Sequence, residues 1–72
     1  MEIKVFASIK EKIGSDTIDL FVGDSITVGD LKNHIFVDYP ELDGEVFQVA
    51  KNEAFVKDDE VVTSDDIVAL IP

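Results

Sequence analysis

Ile67-Val68-Ala69-Leu70-Ile71-Pro72 is the stretch on which the reading of this chain turns. An apolar run of this kind reads as a strand. Pro72 has no N–H with which to extend a ladder, so the strand carries the chain out of the folded domain at that point. A free tail naturally begins there, and the working part of the protein is expected at this end. Elsewhere no cluster of His, Cys, Ser or paired acids is arranged for chemistry. Composition alone describes a small interaction domain.

Working outward, the other elements follow from periodicity. Glu2–Ala7 alternates with period two, which puts Ile3, Val5 and Ala7 on one face and Glu2, Lys4 and Phe6 on the other. Thr17–Val22 alternates again, with Ile18, Leu20 and Val22 on one face, and the two runs form a hairpin. The segment between them, with Lys10-Glu11-Lys12 and Gly14, reads as a polar connection holding at most one helical turn from Ser8. Thr27 caps a helix, with Asp30 in the position of a capping-box acid. Val28, Leu31, Ile35, Phe36 and Tyr39 form its apolar stripe, and Lys32 and Asn33 face water. Pro40 ends it, because the residue before a proline avoids helical geometry. Phe47–Ala50 is a third strand, Lys51-Asn52-Glu53 a turn and Ala54–Val56 a short fourth strand. Lys57–Glu60 is a charged connection, and Thr63–Asp66 is a turn into the last strand.

The order is β-β-α-β-β-β, which suits an α+β fold with a mixed sheet over one main helix. It resembles the β-grasp arrangement of ubiquitin-like proteins, in which the first and last strands lie parallel and adjacent. Residues 1–72 form one such domain. Ile3, Val5, Leu20, Val49, Val56, Val68 and Leu70 then face the helix as the core.

A domain of 72 residues buries only about 60% of the surface its unfolded chain exposes. There is no cysteine, so the fold rests on its Val, Ile, Leu and Phe. Sixteen Asp and Glu against six Lys give a formal charge of -10, a field that repels nucleic acid and anionic lipid and favours a basic protein surface. The same acids also serve solubility. Met1–Val5 lacks the basic start and apolar run of a signal peptide, and no segment approaches the roughly 20 apolar residues of a membrane span. The chain reads as cytoplasmic.

If the core residues point inward, the pleat sends Phe6, Phe21, Phe55, Ala69 and Ile71 to the opposite face, where no second helix covers them. Burying a Phe or Ile side chain is worth about 1.5 to 3 kcal/mol, so a contiguous patch of them reads as a contact site. Phe6, Phe55 and Ile71 form that patch beside the tail exit, with Phe21 the residue that a curled sheet could cover by itself.

Other candidates have plainer readings. His34, the one histidine, falls inside the helix and reads as a surface residue. Asp58, Asp59 and Glu60, and Asp65 with Asp66, lack the alternating ligands and central Gly of a calcium loop and read as solvated turns. Ser8, Ser15, Ser25 and Ser64 have no base beside them in sequence. Gly14, Gly23, Gly29 and Gly44 are dispersed and make no phosphate loop.

Lys4-Val5-Phe6-Ala7, Thr27-Val28-Gly29-Asp30-Leu31, Tyr39-Pro40-Glu41-Leu42, Phe47–Glu53 and Val68-Ala69-Leu70-Ile71-Pro72 together resemble the small subunit of molybdopterin synthase, over essentially the whole chain. That family consists of ubiquitin-like sulfur carriers. The resemblance implies a non-catalytic sulfur donor, without metal or cofactor of its own. An adenylating (E1-like) activating enzyme activates its terminal carboxylate, sulfur replaces the adenylate to give a thiocarboxylate, and the tail enters the large subunit to sulfurate a pterin precursor. Two copies of each chain make the complex. It implies a partner interface at Phe6, Phe55, Ile71 and Leu70, with Pro72 as the tail exit. The family continues past this proline to Gly-Gly, which this sequence lacks, so the natural protein is expected to extend further. Lys51 stands where the family often has an apolar residue. The thiamine-pathway sulfur carrier shares the fold and would pair with a thiazole synthase. A β-grasp interaction module without carrier chemistry is the reading that the missing Gly-Gly favours.

Overall fold

The computed structural model describes Met1–Pro72. Its first strand, β1 (Glu2–Val5), alternates exposed and buried residues as the sequence dictates. A helix, α1 (Ala7–Ile13), follows directly, where the sequence suggested a connection with one turn at most. Ile9 is buried and Ile13 packs against the core four residues later. Gly14 closes the helix at φ 78°, donating its N–H to the Lys10 carbonyl at 2.8 Å. That conformation suits Gly, and Lys10 and Lys12 in the last turn oppose the helix dipole.

Strand β2 (Thr17–Asp19) is shorter than its alternation suggests. Its ladder with β1 ends where the Leu20 N–H donates to the Met1 carbonyl, at 2.9 Å, and the terminal ammonium donates back to the Leu20 carbonyl at 2.7 Å. Strand β3 (Ser25–Thr27) leads into the main helix, α2 (Val28–Asp38). Thr27 caps α2, its hydroxyl accepting the Asp30 N–H at 3.3 Å. Two more first-turn donors, the N–H groups of Val28 and Gly29, go to the carbonyls of Glu60 and Asp58. The acidic connection after the fourth expected strand is therefore the lid of the helix start.

Tyr39 ends α2, and Pro40–Leu42 form a single 3₁₀ turn that buries Leu42. Then come β4 (Gln48–Lys51), β5 (Ala54–Val56), β6 (Val61–Thr63) and β7 (Val68–Ile71). The main sheet runs β2-β1-β7-β4-β5, with β1 and β7 parallel and adjacent. This is the expected β-grasp topology. The additions are α1 and a second, two-stranded sheet of β3 and β6. Each of these strands is three residues long and pairs with residues 34 to 38 positions away, with neither an alternation nor a hairpin turn to mark it, which is why pattern alone missed them.

The core lies between the main sheet and α2. Ile3, Val5, Leu20, Val49, Val68 and Leu70 meet Val28, Leu31 and Ile35, joined by Ile9, Ile18, Leu42 and Val62. Val56 is a correction: it packs on this cluster only partly buried, because β5 is the sheet's edge. Phe47 precedes β4 instead of opening it and stacks on Phe36, with ring centroids 5.7 Å apart.

Candidate functional site: the sheet face at the chain's exit

The strand registers define the face turned away from α2. Lys4 lies beside Thr17 on one side and Ala69 on the other, Ala69 beside Ala50, and Ala50 beside Phe55. These five residues form one row across the whole sheet. One step toward the exit, Ile71 lies beside Gln48. Phe6 follows Val5, which is level with Leu70, and so comes level with Ile71.

Phe6 is 46% exposed and Phe55 62% exposed, and Ile71 and Ala69 are half-buried. Pro72 is exposed at the end of the central strand β7. Leu70 is a correction. It is 0% exposed and faces α2, because it has the opposite parity to Ile71 on the same strand. Leu70 therefore holds β7 on the core and offers nothing to a partner from this face.

Phe21 is 98% exposed, so the sheet does not curl over it. It follows Leu20, which is level with Met1, and so lies one step beyond Met1; at about 3.3 Å per residue that places it roughly 20 Å along the sheet from Phe6. It belongs to the far end of the face, separate from the exit patch.

The start of the exit strand is tied down by a network that sequence reading passed over. The Asp66 carboxylate accepts the Thr63 N–H at 2.8 Å, the Thr63 hydroxyl at 3.2 Å and the Asn52 side-chain amide at 2.9 Å. The Thr63 N–H first, then the Asn52 amide, hold its carboxyl below the usual carboxylate range, with Lys51 adding a smaller pull. Lys51 has inward parity, and its ammonium caps the Val61 carbonyl at 2.9 Å and pairs with Glu60 at 3.7 Å. A long cation serves there because β6 presents the Val61 carbonyl and Glu60, just before it, a carboxylate. The available signal was the Lys-Asn-Glu turn itself, since Asn accepts the left-handed geometry observed at φ 51°.

No group of three or more His, Cys, Asp or Glu side chains is placed to hold a metal ion. His34 is exposed on α2, and the four serines are exposed. The largest hollow, of ≈ 550 Å³, lies at the β4–β5 edge and is lined by both partners of the Lys32–Asp58 ion pair at 2.8 Å. No helix is long and apolar enough to cross a membrane. What this arrangement offers is a rigid apolar platform beside an outgoing strand, with no nucleophile and base brought together on it.

The model of the ThiS family matches residues 3–72. The chain belongs to that family. Among solved structures, SAMP1 from Haloferax volcanii is similar at 31% identity and TM-score 0.81, over 99% of this chain and 91% of that one. The putative molybdopterin converting factor, subunit 1, from Pyrococcus furiosus is similar at 26% identity and TM-score 0.80, over 99% and 93%. The solution structure of the Haloferax volcanii HVO 2177 protein is similar at 25% identity and TM-score 0.79, over 99% and 79%. The ThiS-family assignment and these neighbours agree with the ubiquitin-like β-grasp topology, and with the resemblance to a molybdopterin synthase small subunit, carried by Lys4–Ala7 and Val68–Pro72 among others.

Proposed function

We propose that this ThiS-family chain is the sulfur-carrier small subunit of molybdopterin synthase. In this reading the chain runs on beyond Pro72 to a Gly-Gly end. An adenylating enzyme activates the terminal carboxylate, sulfur replaces the adenylate, and the resulting thiocarboxylate is presented to a pterin precursor inside the large subunit. The observation that carries the reading is the exposed pair Phe6 and Phe55 flanking the strand that leads to Pro72. A partner that covers this face necessarily holds the outgoing tail, and a tail without side chains can thread a narrow cavity. The similarity to a converting factor subunit 1 supports the choice of pathway.

Intact-mass analysis of the full-length native protein tests this reading. A sulfur-for-oxygen mass increase at a Gly-Gly terminus, lost on incubation with the large subunit and precursor, is the expected result. A native chain that never acquires sulfur contradicts it.

A second reading has its own observation, the 31% identity to SAMP1, which is described as a small archaeal modifier protein. The same tail would then be joined to lysines of other proteins. Covalent conjugates that survive denaturation, absent when the terminal Gly-Gly is deleted, would favour it. A thiamine-pathway carrier is separated by its partner, since pull-down would retain a thiazole synthase in place of the large subunit.

A further inference from the structure

Charge is unevenly distributed over this acidic protein, and the exception falls at the exit face. Lys12, Lys32 and Lys51 are held in ion pairs with Glu45, Asp58 and Glu60. Lys4, Lys10 and Lys57 have no carboxylate within 4.0 Å. Two of these three free cations, Lys4 and Lys10, line one surface hollow of ≈ 430 Å³ together with Phe6 and Thr17. Asp16 is the one carboxylate in its lining, and neither lysine closes an ion pair on it. The adjoining face is free of acids: Thr17, Lys4, Ala69, Ala50 and Phe55 in one row, Ile71 and Gln48 in the next. The opposite half of the face brings Glu2 against Asp19.

We infer that the exit face docks onto a partner protein whose surface has an apolar recess for Phe6 and Ile71, and a carboxylate that enters the hollow between Lys4 and Lys10. The inference rests on the docking role proposed above and adds the chemistry of the partner's contact surface. Net charge alone points the other way, to a basic partner. At contact range the hollow's own lining decides, because two unpaired lysines face one acid there, Asp16, while charges elsewhere on the surface are weakened by distance and salt. The acids elsewhere govern approach, and Lys4 and Lys10 govern the final orientation.

The test measures binding of the full-length chain to the molybdopterin synthase large subunit and to the adenylating enzyme of the same organism, at several salt concentrations. The variants are Lys4→Ala with Lys10→Ala, Lys4→Glu with Lys10→Glu, Lys57→Ala and Phe55→Asp. All these residues are exposed, and an unchanged melting temperature verifies each fold. The double Ala variant is expected to bind at least one partner about tenfold more weakly and with a flatter salt dependence, and the Glu variant more weakly still. Lys57→Ala, at the other edge of the same face, weakens binding less than the double Ala variant. If Phe55→Asp abolishes binding while both lysine double variants bind unchanged, the carboxylate contact is overturned and the docking role stands. Tighter binding by the lysine variants would mean a basic contact surface and overturns it as well. If the parent chain binds neither protein, the functional reading fails and takes this inference with it.

Discussion

Asn52 and Asp66 fasten the tip of the β4–β5 hairpin to the start of the exit strand. The Asn52 side-chain amide donates to Asp66 Oδ1 at 2.9 Å, while Asn52 Oδ1 accepts the Ile67 N–H at 2.8 Å. The Asn52 N–H adds a further bond to the Ile67 carbonyl at 2.8 Å. The same carboxylate holds Thr63 at the end of β6, so three strands meet at one side chain. Register set at this point is passed along β7 to Ile71 and Pro72.

This network makes stability depend on acid. Asp66 is held below the usual carboxylate range in the folded state, so the unfolded chain takes up its proton first as pH falls. Its contribution is therefore complete above the ordinary carboxylate pKa and fades as pH drops through the folded value. Urea unfolding of the parent and of Asp66→Asn should differ clearly at about pH 6 and converge only as pH falls below the ordinary carboxylate range. A difference that stays constant below that range would contradict the assignment. Asn52→Ala removes two hydrogen bonds and should cost about 1–2 kcal/mol at neutral pH.

The hairpin turn itself carries strain. Asn52 and Glu53 have φ of 51° and 72°, the pair of positive values that a two-residue turn of this hand requires, and Gly is favoured at the second position. Glu53→Gly relieves the left-handed penalty, and the gain is partly offset by the greater freedom of Gly in the unfolded chain. A rise in stability of up to about 1 kcal/mol in a denaturant titration is expected. A clear loss would show that the Glu53 side chain does something that the geometry does not reveal.

Neighbours on β7 should behave oppositely to residues on the docking face. Leu70→Ala empties a fully buried position and should cost about 2–5 kcal/mol, enough to threaten so small a domain. Phe55→Asp lies at an exposed position of an edge strand and should cost far less in thermal unfolding. Equal losses would mean that Phe55 is part of the core.

The longer alternating runs were legible in the sequence, as were the short β5 beyond its turn and α2 with its Thr27 cap and Pro40 stop. Parity alone placed Phe6 and Phe55 outside. What escaped was whatever depends on partners distant in sequence. Strands β3 and β6 are three residues each and exist through each other. Helix α1 carries only Ile9 and Ile13 as an apolar stripe, hidden among lysines. Leu70 was assigned to both faces, and the pleat allows it only one. Lys4 read as an outward residue of the first strand and Lys10 as part of a polar connection, and only the fold set them around one hollow.

The formal charge of -10 on so small a surface should make the fold sensitive to ionic strength. Screening relieves self-repulsion, so the melting temperature should rise between low and moderate salt. A fall would mean that ion pairs such as Lys32–Asp58 outweigh the repulsion.

The central claim is that the sheet face beside the exit docks the partner that receives the tail. Titration calorimetry of the full-length chain with the molybdopterin synthase large subunit tests it most directly, comparing the parent with Phe6→Asp and Ile71→Asp. Phe6 precedes α1 in extended geometry without a side-chain cap, so Asp there is compatible with the helix start and leaves the fold intact. The account predicts a stable complex for the parent and its loss in both folded variants. Undiminished binding by the two variants would contradict it.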